Sequence, residues 1–244
     1  MNYKMTIQYD GGRYSGWQRQ GNTANTIQGK LERALSRLLS QEIAVSGAGR
    51  TDAGVHALGQ VANFKAEPPV ADCDALLRAL NEALPGDIAV IRLLPASPRF
   101  HARLSAKEKI YRYSIWNSPI PNVLERRTLC QIPEPLDLDR MRQGAELLLG
   151  THDFSGFSTG HTKKSTVRHI RSVELLWDGD RVVLTFTGNG FLYNQIRIMV
   201  GTLIEIGLGS RAPDTIQAVL DTCDRQAAGY TAPPHGLCLM QVLY

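Results

Sequence analysis

Small residues surround three polar or charged side chains in the segment 48–56, which reads Ala-Gly-Arg-Thr-Asp-Ala-Gly-Val-His. Gly49 and Gly54 permit backbone angles that other residues avoid and let a ligand approach the main chain. Arg50 lies two positions before Asp52, and a neighbouring positive charge keeps a carboxylate ionised. An ionised carboxylate can act as a nucleophile, a base or a metal ligand. An isolated aspartate beside glycine is more often a turn residue that bonds its own backbone, so the rest of the chain must decide between these readings.

Composition sets the broad class of the protein. The chain has 244 residues, 43% of them apolar, which suffices for one large domain or two of ordinary size. It begins Met-Asn-Tyr-Lys without an apolar signal stretch, and no run is long enough to cross a membrane, so we expect a cytoplasmic protein. The four cysteines and six histidines show no zinc-ligand spacing, which disfavours a metal site and a disulfide framework.

Positive charge is concentrated in two segments, although the net charge of the chain is only +4. Residues 97–127 contain seven Lys or Arg against two Glu, and residues 161–171 contain four, including Lys163 and Lys164, against no acid. Aromatic residues such as Phe100 and Trp116 are interleaved with the first segment. This distribution suits a face that binds a polyanion and stacks on bases, although a solvated basic face without a ligand would look the same.

Hydrophobic periodicity predicts the order β-α-β-β-α-β for the first half, which is the split βαβ or ferredoxin-like arrangement. Thr26 is a suitable N-cap for the first helix. The segment 48–56 then joins two strands. The expected elements are a strand at 3–10, a helix at 27–39, strands at 43–48 and 60–65, a helix at 73–84 and a strand at 88–94.

The second half has a similar pattern, so we predict an α+β protein of two ferredoxin-like halves with mainly antiparallel sheets. The expected domains are 1–105 and 106–244, with an active-site cleft between them. The predicted elements are a strand at 109–116, a helix at 138–148, a hairpin of strands 170–177 and 181–187, helices at 193–206 and 214–220, and a strand at 237–244.

Two side chains of the second half stand out from their surroundings. Arg197 interrupts the apolar run 196–200, and a charge there needs an anionic partner or must reach from the helix to solvent. Tyr111 shares a strand face with Tyr113, while Arg112 points to the other face. Strand tyrosines are usually core or interface residues, so the residue types alone leave both readings open.

Short motifs spread over nearly the whole chain carry a family resemblance. They are Tyr9-Asp10-Gly11, Gly16-Trp17-Gln18, Gly49-Arg50-Thr51-Asp52-Ala53-Gly54-Val55-His56, Phe100-His101-Ala102-Arg103, Tyr111-Arg112-Tyr113, Gly190-Phe191-Leu192-Tyr193 with Arg197, and Thr231-Ala232-Pro233. Together and in this order, they resemble the tRNA pseudouridine synthase A (TruA) family.

The resemblance implies a role for four of the motif residues. Asp52 would be the catalytic nucleophile or base, Tyr111 would stack on or position the target base, and Arg197 would pair with the Asp52 carboxylate. Arg50 would contact the substrate backbone or the displaced base. The family's substrates are uridines 38, 39 and 40 of the tRNA anticodon stem-loop, and the resemblance also implies a homodimer that uses neither cofactor nor metal.

The chemistry of pseudouridine formation agrees with these residues, because the reaction changes no oxidation state and needs no cofactor. It does need a carboxylate that adds to the ribose or the base, or that removes a sugar proton, and the sequence leaves these three steps open. A non-catalytic RNA-binding protein of two ferredoxin-like modules is the main alternative. A metal-dependent hydrolase using Asp52 and His56 is disfavoured, because Arg50 and Arg197 would compete with a cation for the carboxylate.

Overall fold

A computed structural model describes residues 1–160 and 165–244, which form two compact units. The first contains Met1–Lys107 and Cys238–Tyr244, and the second contains Glu108–Leu237. Each combines helices with a mainly antiparallel sheet, so the predicted α+β class is confirmed. Lys163 and Lys164, which we counted in the second basic segment, lie outside the described residues. Within the described ranges, no helix has the length and apolar character needed to span a membrane.

The first unit has the predicted β-α-β-β-α-β order and a sheet in which β4, β1, β3 and β2 are neighbours in that order and antiparallel. This is the split βαβ arrangement expected from the periodicity. The side chain of Thr26 caps α1 by accepting a hydrogen bond from the N–H of Gly29, as predicted. The elements are β1 (Asn2–Tyr9), α1 (Ile27–Leu39), β2 (Val45–Gly47), β3 (His56–Lys65), α2 (Cys73–Ala83) and β4 (Ile88–Ala96).

The third strand begins at His56, four residues before the predicted start at residue 60. Of its ten residues only Leu58 and Lys65 are exposed, because β3 lies inside the sheet. A strand covered on both faces lacks the alternation of polar and apolar residues from which its start could be predicted. The early start places His56 directly after the loop that carries Asp52.

The C-terminal strand, Leu237–Leu243, pairs in parallel with β3 through Cys238 and Leu239. It therefore belongs to the first compact unit, whereas the predicted domain 106–244 places it in the second half. The approach is close, because a Cβ on Gly59 would lie 2.3 Å from the carbonyl oxygen of Met240. Periodicity predicts that a segment is a strand, but not which distant strand it pairs with.

The second unit builds its sheet in the order β5, β9, β8 and β7, with antiparallel neighbours in the pairs β5–β9, β8–β9 and β7–β8 and with β6 parallel to β5. The predicted hairpin and helices are present, whereas β6 and β7 were not predicted, since three or four residues are too few to show a period. The elements are β5 (Glu108–Asn117), β6 (Cys130–Ile132), α3 (Leu138–Glu146), β7 (Gly150–Asp153), β8 (Val167–Asp178), β9 (Arg181–Gly188), α4 (Gln195–Gly207) and α5 (Thr215–Thr222).

Candidate active site

Asp52 lies in a tight turn between β2 and β3. Thr51, immediately before Asp52, and Val55, three residues after it, are buried, whereas Asp52 itself is half-buried. The N–H of Val55 donates to the carbonyl of Asp52 at 3.1 Å, and Gly54 has a φ of +81°, which favours glycine. The turn expected beside glycine is therefore present, and its buried neighbours fix the direction in which Asp52 leaves the backbone.

A second segment, residues 10–17, packs directly against this turn. A Cβ on Gly11 would lie 2.0 Å from the carbonyl oxygen of Val55, and a Cβ on Gly16 would lie 2.8 Å from that of Thr51. The N–H of Trp17 donates to the same Thr51 carbonyl at 3.0 Å. Glycine is required at these points because the two main chains touch.

Buried polar groups hold the start of the turn. The hydroxyls of Tyr9 and Thr51 are 2.8 Å apart and share a hydrogen bond, and the side-chain amide of Gln60 donates to the carbonyl of Gly49 at 3.0 Å. Burial raises the pKa of the Tyr9 hydroxyl above its usual value, although hydrogen bonds with Thr51 and Gln60 oppose the shift. Tyr9 is therefore neutral at physiological pH and acts as a hydrogen-bonding anchor.

Arg50 and His56 lie at the two ends of the same turn. Arg50 is exposed, and its Nε donates to the side-chain oxygen of Gln18 at 3.0 Å. His56 is buried, and its Nδ1 lies 3.1 Å from the N–H of Gly11 and 3.0 Å from a carboxylate oxygen of Asp10. In the part of the chain that the structure describes, no group of three His, Cys, Asp or Glu side chains could hold a metal ion.

Tyr111 lies on β5 in the second unit, opposite Phe186 of β9. It is buried, and its ring meets that of Phe191 edge to face with the centroids 5.4 Å apart. Arg112 is exposed, and Tyr113 is buried with its hydroxyl donating to the carbonyl of Pro233 at 2.9 Å. The predicted alternation of faces on this strand is therefore confirmed.

The guanidinium of Arg197, on α4, is held from two sides within the second unit. Its Nε donates to the carbonyl of Ala232 at 2.7 Å, and its Nη1 donates to the side-chain oxygen of Asn194 at 2.9 Å. Asn194 has a φ of 60°, and its side-chain amide also donates to the hydroxyl of Thr159 at 2.8 Å. Arg197 is half-buried, which disfavours the reading that it simply reaches from the helix to solvent.

The segment after Tyr230 packs on the same face of α4. A Cβ on Gly201 would lie 1.9 Å from the carbonyl oxygen of Tyr230, and the N–H of Ala232 donates to the carbonyl of Arg197 at 3.0 Å. The motif Thr231-Ala232-Pro233, to which the sequence assigned no role, therefore supplies the carbonyl that orients Arg197.

The predicted site residues fall into two groups. Asp52 and Arg50 share one turn of the first unit, and Tyr111 and Arg197 belong to the second unit. Their roles in catalysis and substrate binding stay predictions. Sequence reasoning missed residues that hold the Asp52 turn, such as Gln60, whose side-chain amide donates to the carbonyl of Gly49. The available signal was the recurrence of glycine near residues 11–16 and again near 49–54.

Comparisons with known proteins give a consistent result. A family model described as tRNA pseudouridine synthase matches residues 5–104 and 145–244. The chain is 45% identical over 230 residues to "tRNA pseudouridine synthase A" of Bacillus sp. (strain KSM-64), with 94% of each chain covered. It is 44% identical over 244 residues to "tRNA pseudouridine synthase A" of Acetivibrio thermocellus, covering 100% of this chain and 99% of the relative.

Further matches differ in strength. The chain is 42% identical over 242 residues to "tRNA pseudouridine synthase A 2" of Bacillus anthracis, covering 99% of this chain and 98% of that one. Among solved structures, a chain of a Cbf5-Nop10-Gar1 complex matches at 13% identity with a TM-score of 0.40, over 97% of this chain and 48% of that one. The structural similarity is too weak to bear on the fold, whereas the sequence similarity spans nearly the full chain.

Proposed function

This chain belongs to the tRNA pseudouridine synthase family, and on that premise we propose that it converts uridine to pseudouridine in tRNA, with Asp52 as the reactive carboxylate. The family resemblance noted in the sequence is confirmed by these relatives. The observation that supports Asp52 most directly is its half-buried position in a turn that begins and ends at the buried residues Thr51 and Val55. A carboxylate presented in this way keeps its direction without closing off the approach of a ligand.

The reaction is an isomerisation in which all atoms stay with the nucleoside. The N1–C1′ bond breaks, the uracil turns, and C5 bonds to C1′, while C5 loses a proton and N1 gains one. Addition to the ribose, addition to the base and removal of a sugar proton are all steps that one carboxylate can perform, and Asp52 is the residue we assign to them. A fixed backbone favours each of these steps, because the carboxylate need not be reoriented during the reaction.

The remaining predicted residues are proposed to act on the substrate. The target base must leave its stack, which costs a few kcal/mol, and stacking on an aromatic ring offsets part of that cost. Tyr111, held edge-on by Phe191, suits that role. We assign the Asp52 carboxylate as the partner of Arg197, and the tRNA backbone or the displaced base as the partner of Arg50.

The specific substrates proposed are uridines 38, 39 and 40 of the anticodon stem-loop, as the family resemblance implies. Domain 1–105 would contribute the Asp52 loop, and domain 106–244 would contribute Tyr111 and Arg197. We also propose that the enzyme acts as a homodimer in the cytoplasm. Light scattering tests the dimer, because a monomer has a mass of only 26.9 kDa.

The test is pseudouridine formation in an unmodified tRNA transcript with chelator present, comparing wild type, Asp52→Ala and Asp74→Ala. Asp74 is an exposed carboxylate on α2 of the same unit and serves as the matched control. We expect Asp52→Ala to bind tRNA but to form pseudouridine at least roughly a thousandfold more slowly, since removing a reactive group costs far more than removing a binding contact. Asp74→Ala should match the wild type.

Three other outcomes would contradict the proposal. Conversion by Asp52→Ala at the wild-type rate would exclude Asp52 as the reactive carboxylate. A wild type that binds tRNA and converts no uridine would instead be a non-catalytic RNA-binding protein. Activity that the chelator abolishes would favour the metal-dependent alternative.

A further inference from the structure

A continuous chain of side-chain hydrogen bonds runs from a buried carboxylate in α1 to Arg50 in the Asp52 turn. Its members are Glu32, Gln28 and Gln18, all in the first unit. We propose that Gln28, oriented by Glu32, is a positioning residue that fixes the side chain of Gln18 and thereby aims Arg50. The inference rests on the proposed function, because it concerns a residue to which that function assigns a substrate contact.

The series of hydrogen bonds starts at Glu32, whose side chain is only 12% exposed. One of its oxygens, Oε1, accepts a hydrogen bond from the N–H of Val45 and another from the side-chain nitrogen of Gln28, both at 3.0 Å. An ionised carboxylate only accepts hydrogen bonds. Glu32 therefore dictates that the nitrogen of the Gln28 amide, and not its oxygen, faces it.

Every hydrogen-bonding position of the Gln28 amide is occupied. Its nitrogen donates to Glu32 and to the carbonyl of Val45 at 3.0 Å. Its oxygen accepts from the N–H of Arg19 at 2.9 Å and from the side-chain nitrogen of Gln18 at 2.7 Å. Turning the amide over would set its oxygen against two acceptors and its nitrogen against two donors, so only one orientation is compatible with these neighbours.

The Gln28 amide in turn determines the orientation of the Gln18 amide. Its nitrogen is committed to the oxygen of Gln28, so its own oxygen is left to face Arg50, whose Nε–H it accepts at 3.0 Å. The reversed amide would present N–H groups to a guanidinium, which has donors and no acceptor. The acceptor character of a buried carboxylate is thus transmitted through two amides to an exposed arginine.

Arg50 needs such a restraint, because an exposed arginine loses up to about 2 kcal/mol of rotamer entropy when it is immobilised. Holding its Nε before the substrate arrives means that part of this entropy has already been lost. The benefit should appear in turnover more than in overall tRNA affinity, which is a sum over many phosphate contacts.

The kinetic test is a double-mutant cycle between Gln28→Met and Arg50→Ala, with Gln20→Met as the matched control. Gln20 lies in the same segment, is exposed and donates to the carbonyl of Ser15, outside the chain of amides. We expect Gln28→Met to lower kcat about tenfold, as for the loss of one hydrogen bond to a charged group, with unchanged tRNA affinity and no further effect in the Arg50→Ala background. An equal loss in both backgrounds would mean that Gln28 only stabilises the fold, and would overturn the inference.

A second measurement needs no activity and separates the inference from the proposed function. The Nε–H signal of Arg50, assigned by its disappearance in Arg50→Lys, should exchange with solvent about tenfold faster in Gln28→Met and in Gln18→Met, as expected when one hydrogen bond is lost. Gln20→Met should exchange like the wild type. Unchanged exchange in Gln28→Met would refute the proposed positioning of Arg50 through Gln28 and Gln18, even in an active enzyme. A wild type that makes no pseudouridine would refute the proposed function. The exchange data would still show whether Gln28 and Gln18 position Arg50.

Discussion

In the turn that carries Asp52, backbone groups of a neighbouring segment hold the main chain, and at Arg197 hydrogen bonds to the guanidinium hold the side chain. Thr51 and Val55 bring their carbonyl groups against Gly16 and Gly11, and Trp17 donates to the Thr51 carbonyl. Arg197 instead donates from its guanidinium to a carbonyl and to a side-chain amide.

The difference follows from the length of the two side chains. An aspartate has two side-chain torsions, so placing its backbone nearly places its carboxylate. An arginine has four, and about 2 kcal/mol of rotamer entropy opposes any single geometry. Backbone packing therefore does more to place a short functional side chain than a long one, which depends more on contacts of its guanidinium. Arg50 follows the second rule, since Gln18 bonds its Nε.

The substitution Gly11→Ala should have the largest effect on how the Asp52 turn is held. The added Cβ would lie 2.0 Å from the carbonyl oxygen of Val55, so one of two backbone segments must move. We expect a loss of about 3 kcal/mol in the free energy of unfolding, at the upper end for overpacking, together with loss of pseudouridine formation. Denaturant unfolding and the tRNA assay measure the two effects.

The matched control is Gly21→Ala, because a Cβ there meets nothing within 4 Å. It should retain the wild-type stability and rate. If Gly11→Ala were as stable and as active as the control, backbone packing would not be what places Asp52.

The substitution Asn194→Ala in the second unit should have a smaller effect on both activity and stability. The change removes the oxygen that accepts from Arg197, and leaves alanine at a φ of 60°, which disfavours a side chain. We expect kcat to fall about tenfold, as for one charge-assisted hydrogen bond, and the free energy of unfolding to fall by about 1 kcal/mol.

Asn194→Gly separates the two causes, because glycine adopts this φ readily but lacks the amide. It should share the loss of kcat with Asn194→Ala and be the more stable of the two. A wild-type kcat in both variants would show that the amide does not orient Arg197.

The smallest expected effect concerns the pH dependence of stability in the first unit. Asp87 accepts hydrogen bonds from Tyr14 and Arg13, which belong to the segment 10–17 that packs against the Asp52 turn. Burial alone would raise the pKa of this carboxyl, but the bonds from Tyr14 and Arg13 outweigh it and hold the pKa below 3.8.

Because the folded-state pKa is lowered, Asp87 stabilises the fold above pH 3.8 and loses this effect as the pH falls through its lowered value. Asp87→Asn should therefore be less stable than the wild type at pH 7, and the difference should shrink at pH 3. Urea midpoints at both pH values measure it. A difference of equal size at both would mean that the charge of Asp87 is not the cause.

The sequence was sufficient for features that depend on near neighbours. The β-α-β-β-α-β order, the Thr26 cap and the alternation at Tyr111 follow from local spacing and are confirmed. The left-handed backbone of Asn194 and the pairing of the C-terminal strand with β3 could not be predicted, because they depend on contacts between residues distant in the sequence.

The candidate site divides in the same way. Asp52 and Arg50 stand out through their glycine-rich surroundings and the family resemblance, and their roles stay predictions. The hydrogen bonds that link Glu32, Gln28 and Gln18 could not be predicted from the sequence. They depend on which atom of each amide faces which neighbour in space.

Because the C-terminal strand belongs to the first unit, that unit cannot be completed until the whole chain has been synthesised. Residues 238–244 leave the ribosome after all of the second unit, yet they complete the sheet of the first. Until then, β3 lacks its neighbour at His56 and Ala57, immediately after the Asp52 turn. An unpaired strand edge can pair with another chain, so the growing polypeptide has a vulnerable edge beside its reactive loop throughout translation of the second unit. Nascent chains halted before residue 238 should therefore depend most on chaperones.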